Sequence, residues 1–220
     1  MANASTIDLT KKEYPAEGAV IGYFGYGSLV NADTHRTRIV TSVPARLKGW
    51  RRHWIPYHEA DMRSAVLLSV KRDEGHVCDG LLVLDLLENL PQVDEREIGY
   101  VRRQVQPQDL ELEAELPFDC PLYVYEALPP AAKRDGEGHI LQSYLDAVLQ
   151  GFLRVHGEEG MRRFVRDTHG FDTPVLADRQ APLYPRPVRL SEMERELIDG
   201  ALAQLPLRFI PHAGATILPG

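Results

Sequence analysis

The chain has few of the residues that small proteins use as staples. Two cysteines occur in 220 residues, Cys78 and Cys120. Each stands apart from other soft ligands, so neither a disulfide framework nor a zinc-ligand spacing is present. Isolated thiols fit a reducing compartment, and a cytoplasmic setting is the expectation. No run approaches the ~20 apolar residues of a membrane helix. The opening residues lack the basic start and apolar centre of a secretory signal. Positive charge is also in the minority. Lys and Arg number 25 against 32 Asp and Glu, giving a formal net charge of −7. That balance argues against nucleic acid or an anionic membrane as the main partner. The local group Arg46, Lys48, Arg51 and Arg52 reads as a solvated strand edge. Among eight histidines no metal spacing recurs, and no metal site is expected. Internal repeats and low-complexity tracts are missing as well.

What is there is an ordinary globular composition, 44% hydrophobic and 26% charged. A chain of this length buries a sizeable core without covalent staples. Residues 1–18 read as a flexible polar lead-in, 19–128 as a strand-rich core and 129–220 as a helical extension packed on that core within the same domain. Strand patterns run through 19–26, through 43–55 with Gly49 marking a bend or bulge, and through Ser64–Val70 and Val77–Leu84. The charged stretch Lys71–His76 reads as the turn of a hairpin joining the last two. Leu86, Leu87, Leu90 and Val93 suggest helical turns interrupted near Pro91. Tyr100–Val105, Leu110–Leu116 and Pro121–Leu128 return to strand. After the charged linker Pro129–Gly138, an apolar stripe from Ile140 to His156 has helical spacing. A second helix is expected over Glu158–His169, and a third over Ser191–Leu205 with Ser191 and Glu194 as a capping box. Gly170–Val188 reads as an ordered irregular loop, either a strap on the core or a lid over a pocket. Strands first and helices afterwards indicate an α+β fold, a small mixed β-barrel with surrounding helices and a helical C-terminal extension.

The most specific local feature is Gly25-Tyr26-Gly27-Ser28-Leu29, placed directly after a strand. Glycines on both sides of Tyr26 let the backbone turn tightly and approach a ligand. Successive main-chain N–H groups in such a turn form an anion-binding concavity. Ser28 lacks the surroundings of a nucleophile elbow and has no identifiable His and Asp partners. Tyr26 and Tyr125 are candidates either to line a pocket or to pack in the core with satisfied hydroxyls. Glu97 sits in the acidic stretch Asp94-Glu95-Arg96-Glu97, where charge composition alone singles out none of the three carboxylates.

Here a family resemblance supplies the missing weight. Tyr23-Phe-Gly-Tyr-Gly-Ser-Leu-Val-Asn31 resembles the tyrosine-glycine-serine loop of γ-glutamylcyclotransferases. Ala45–Trp54, Gly75–Val83, Asp94-Glu-Arg-Glu-Ile-Gly-Tyr-Val-Arg102 and Tyr123-Val-Tyr125 are similar to later family segments in the same order. Ser143–Asp146 suits a family helix that closes the site. The resemblance implies the family fold over about residues 20–128 and an activity releasing 5-oxoproline from a γ-glutamyl compound. It implies Glu97 as the catalytic acid/base, with Asp94 three residues before it and Gly-Tyr after. It also implies Tyr26, Gly27, Ser28, Leu29 and Tyr125 as substrate-binding residues. The loop amides would hold either the substrate's α-carboxylate or the developing oxyanion. The chemistry needs no metal or organic cofactor. The expected partner is a small γ-glutamyl substrate; glutathione, γ-glutamyl amino acids and γ-glutamyl amines all present the same glutamyl end. The rival expectation is a non-catalytic ligand-binding or regulatory domain of the same fold. Oligomeric state is not written in the sequence.

Overall fold

The computed structural model describes residues 18–35, 39–56, 66–114, 116, 119–127 and 138–212. The lead-in up to residue 17 and most of the charged linker after residue 128 lie outside the described residues.

The apolar run after Ala19 forms β1, Val20–Gly25, buried along its whole length. Two long strands follow, β2 at Thr41–Pro56 and β3 at Val66–Leu86. They pair antiparallel from Thr41 opposite Leu84 to Pro56 opposite Val66. The expected hairpin turn at Lys71–His76 is not a turn. Lys48 faces Val77 and Trp50 faces Arg72, so residues 73–76 bulge out opposite Gly49 alone. Gly49 has φ +75°, which an L side chain rarely adopts. The charged bulge stays in solvent and is tied back by Arg51 Nε to Asp73 at 2.6 Å. Its polarity had suggested a chain reversal, but a polar bulge between two buried half-strands has the same pattern.

A short α1, Leu90–Arg96, begins with Pro91 in its first turn, where a missing N–H costs nothing. Then come β4 at Tyr100–Val105, a three-residue β5 at Leu110–Leu112 and β6 at Leu122–Ala127. The expected strand to Leu116 ends at Leu112, although the Glu113 N–H still reaches the Pro44 carbonyl of β2 at 3.3 Å. The six strands order as β4-β6-β1-β3-β2-β5. β1 and β6 run parallel, and the remaining neighbours are antiparallel. The expected barrel is therefore an open mixed sheet with edges at β4 and β5. Closure is approached through side chains. β1 stops at Gly25 while β3 and β6 continue past it, and beyond its end Ser69 Oγ of β3 accepts the Ala127 N–H of β6 at 2.9 Å. The Tyr100 hydroxyl of β4 donates to the Leu68 carbonyl at 2.9 Å.

Ile140–Leu141 forms β7 and not the start of a helix; α2 spans Gln142–Asp167. The two expected helices are both present within this span, meeting at Gly157, whose φ of +68° and ψ of −176° are non-helical. β8 is Val175–Ala177, α3 is Glu192–Leu202 and β9 is Phe209–Pro211. β7, β8 and β9 make a small parallel sheet. The expected capping box at α3 is present. Ser191 Oγ accepts from Glu194 N at 3.2 Å, and Glu194 Oε2 accepts from Ser191 N at 2.8 Å. Leu145, Val148, Leu149 and Phe152 of α2 are fully buried and share one apolar cluster with Phe24, Leu82 and Val124 of the large sheet.

The basic group in β2 is not a free cationic patch. Arg46 pairs with Asp79 and Glu111, and Lys48 pairs with Glu111. Arg52 is buried, donates to the Asp79 carbonyl at 2.6 Å and lies over the rings of Phe152 and Phe164. No helix of the described residues is long and apolar enough to cross a membrane.

Candidate active site

The site lies where β1 ends. Its last residue, Gly25, passes into a 3₁₀ turn at Ser28–Val30. The turn bonds Val30 N–H to the Gly27 carbonyl and Asn31 N–H to the Ser28 carbonyl. The N–H groups of Ser28 and Leu29 precede those bonds and have no acceptor within the turn. Asn31 anchors the loop from below. Its Nδ2 donates to the Ala147 carbonyl at 2.8 Å and to Gln150 Oε1 at 2.9 Å, both on α2. Its own Oδ1 caps the next turn through Asp33 N–H. Ser28 Oγ faces Arg96 Nη2 at 3.5 Å, a loose contact that orients the hydroxyl within the loop.

Glu97 is the residue on which α1 terminates. Its side chain is 16% exposed, and its Oε1 accepts from Arg96 Nε at 3.1 Å. Burial pushes the carboxyl above the ordinary glutamate range, while the charges of Arg96 and Arg186 oppose the rise. Glu97 and the loop residues Tyr26, Gly27, Ser28 and Leu29 line one small recess of about 30 Å³, together with Leu68, Tyr100, Tyr125 and Tyr144. Ser28, Leu68, Glu97, Tyr100 and Tyr144 also line a neighbouring cavity of about 380 Å³. Carboxylate and main-chain loop, 70 positions apart in sequence, thus share one wall of space.

Both tyrosines named from the sequence border the recess with their hydroxyls already engaged. Tyr26 donates to the Tyr125 carbonyl at 2.6 Å, and Tyr125 donates to Asp94 Oδ1 at 2.7 Å. Asp94 in turn receives Arg102 Nη1 at 2.9 and 2.8 Å. Asp94 is therefore a structural partner of β4 and β6, and Glu95 lines the larger cavity and not the recess. The rings of Tyr26 and Tyr125 contribute shape to the recess.

Several site residues escaped the sequence reading. Arg96 donates to Glu97, to the Thr34 carbonyl at 3.0 Å and to Thr34 Oγ1 at 3.3 Å, binding the α1 terminus to the loop. Tyr144 of α2 sets its hydroxyl against the loop, where it is hydrogen-bonded to the Ser28 main chain. Tyr184 packs edge-on to Tyr144 with ring centroids 5.0 Å apart. Burial raises the pKa of Tyr26, Tyr100 and Tyr144, keeping these phenols neutral beside the carboxylate. The signals for Arg96 and Tyr144 were the adjacency of an arginine to the candidate glutamate and the one polar tip in an apolar helical stripe.

The loop 170–188 closes one side as a pinned wall. Asp178, fully buried, accepts from Ser143 N at 2.8 Å, from Ser143 Oγ at 2.5 Å and from Leu183 N at 2.9 Å. Arg179 forms a bidentate pair with Asp146 and another with Asp199. These bonds place Tyr184, Pro185 and Arg186 on the cavity wall.

A sequence profile of the family described as "Gamma-glutamyl cyclotransferase, AIG2-like" matches residues 23–144. The chain belongs to this family. The matched span takes in the loop after β1, Glu97, the tyrosines of β6 and the start of α2. Among solved structures, one named "Gamma-glutamyl cyclotransferase" is 16% identical over 82% of this chain and 99% of its own, with a TM-score of 0.49. A human protein described as uncharacterized is 16% identical over the same shares, with a TM-score of 0.46. A yeast γ-glutamyl cyclotransferase described as specific to glutathione is 15% identical over 86% of this chain and 91% of its own, with a TM-score of 0.39. No curated protein matches the chain. The family assignment therefore stands on the sequence profile.

Proposed function

We propose that this family member is an active γ-glutamyl cyclotransferase with Glu97 as its acid/base. The neutral α-amine of the substrate attacks the γ-carbonyl carbon of its own glutamyl unit. Glu97 takes the proton that this nitrogen sheds as the five-membered ring closes. The bond from that carbon to the departing nitrogen breaks, and Glu97 returns the proton to the leaving amine. The products are 5-oxoproline and a free amine or amino acid, and no water is consumed. Because both reacting groups belong to one molecule, holding it folded supplies much of the rate.

Main-chain N–H groups of the Gly27–Leu29 segment, with the Tyr144 hydroxyl beside them at Ser28, hold the α-carboxylate or the oxyanion, and the rings of Tyr26 and Tyr125 shape the floor. A carboxyl made more basic by burial suits proton removal better than a solvated glutamate. The observation that carries the reading is the shared recess: Glu97 and the loop after β1 border the same 30 Å³.

The test is 5-oxoproline release from glutathione, γ-glutamyl amino acids and γ-glutamyl amines. Glu97→Gln is expected to lower turnover by about 10²–10⁴-fold with an unchanged circular dichroism spectrum. Turnover within tenfold of the wild type would overturn the role of Glu97. A wild-type protein that binds these compounds and releases no 5-oxoproline would instead be a ligand-binding domain.

A further inference from the structure

The larger cavity has a chemistry of its own. Apart from the charged Glu95, Arg96, Glu97 and Arg186, its lining is mostly aliphatic and aromatic, with Val66, Leu68, Leu141, Tyr144 and Tyr184 among it. One cation on its rim is unusual. Arg186, half-buried on the strap, donates from Nε to the Tyr184 hydroxyl at 3.1 Å. Among the described residues no carboxylate pairs with it. Arg96, by contrast, spends its donors on Glu97, Thr34 and Ser28. The two guanidinium groups repel each other, and the charge of Arg186 reaches Glu97 as well. A half-buried cation with spare donors beside a second cation is an anion-binding position, because a carboxylate there gains charge-assisted bonds and relieves the repulsion.

We infer that Arg186 selects the leaving group: the departing amine is an α-amino acid with a large apolar side chain, its carboxylate held by Arg186 and its side chain by the aliphatic and aromatic wall. This rests on the cyclotransferase reading of the same cavity. The glutamyl end lies in the part of the cavity bordered by Ser28 and Glu97, with the recess taking no more than its carboxylate or carbonyl oxygen. The other end then extends along the wall that the strap provides. When the amide bond breaks, the leaving nitrogen takes the proton from Glu97 and the carboxylate stays with Arg186 until release. A leaving group without a carboxylate leaves Arg186 unpaired, and one carrying an extra ammonium near the rim is repelled. The pinned strap, held by Asp178 to Ser143 and by Arg179 to Asp146 and Asp199, keeps that arginine in place.

The comparison is γ-glutamyl-phenylalanine against γ-glutamyl-phenethylamide, which differ only by the carboxylate. The kcat/KM ratio of the two in the wild type should favour the dipeptide by about ten- to a hundredfold, the worth of one charge-assisted pair. Arg186→Gln should bring the ratio to within threefold of unity, chiefly through KM for the dipeptide, and Arg186→Lys should restore part of it. A wild-type ratio near unity, or a ratio unmoved in Arg186→Gln, overturns the inference. Calorimetry on the Glu97→Gln protein separates this outcome from failure of the catalytic reading, since binding needs no turnover. There the dipeptide should bind at least tenfold more tightly than the amide, and Arg186→Gln added to Glu97→Gln should abolish the difference. Equal affinities, or no binding of the dipeptide, overturn the inference whatever the activity.

Discussion

Glu97 ends a seven-residue helix, and the side chain immediately before it is the one that holds it in place. That adjacency makes a pH prediction specific. Burial lifts the folded-state pKa of Glu97 above its ordinary value. The acidic limb of kcat/KM should therefore lie above the ordinary glutamate range, and stopped assays across pH 4–8 would place it. Stability follows with a definite sign. Below the unfolded-state pKa the group is protonated in both states and costs nothing. As pH rises through the window up to the folded-state pKa, ionisation opposes folding, and above that window the cost is constant. Glu97→Gln removes the cost while its amide oxygen still accepts from Arg96. Its melting temperature at pH 7 should equal or exceed that of the wild type, and the gap should narrow as the pH falls toward the ordinary glutamate range. A variant markedly less stable at pH 7 would mean that the ion pair with Arg96 outweighs desolvation.

Elements were legible where their signals are local. β1 and β4 follow from short β-branched and aromatic runs, and the bulge at Gly49 from a glycine inside such a run. The capping box of α3 needs only Ser191 and Glu194 three positions apart. Its contribution is testable in isolation: Ser191→Ala should cost about 1 kcal/mol, a shift of about 2–4 °C in melting temperature for a chain of this size, with kcat/KM unchanged. Glu194 also accepts from Gln150 and Arg154, so its replacement should cost more than that of Ser191. Element type failed where two structures share one pattern. The Lys71–His76 charges fit a turn as well as a bulge, and Ile140–Leu141 fit a helical stripe as well as an edge strand. Only pairing partners far along the chain separate these cases.

At the scale of the whole molecule, the site depends on how closely α2 approaches the loop after β1. A Cβ on Gly151 would meet the Asn31 main chain and Cβ at 2.8 Å, so only glycine admits this contact. Gly151→Ala should push the loop from the helix. The expected results are a destabilisation of about 1–3 kcal/mol by denaturant unfolding and a fall in kcat of about tenfold or more, since main-chain donors aimed at developing charge tolerate little displacement. Unchanged kcat in a destabilised variant would show that the loop is not held by α2.

The amino-acid sequence by itself determined the fold class and the loop at Gly25–Leu29 and marked Glu97 as the candidate carboxylate, because glycine-bearing turns, residue periodicity and family motifs are local. Only the tertiary structure decided that the sheet stays open, that the loop, Glu97 and Tyr144 border one recess, and that Arg96, Tyr184 and Arg186 line the cavity beside it. The reason is physical. A side chain's chemistry at a site depends on burial and on the charges facing it. For Glu97 and Arg186 those surroundings come from α2 and the strap, up to ninety positions away, and exist only once the apolar face of α2 has packed against the sheet.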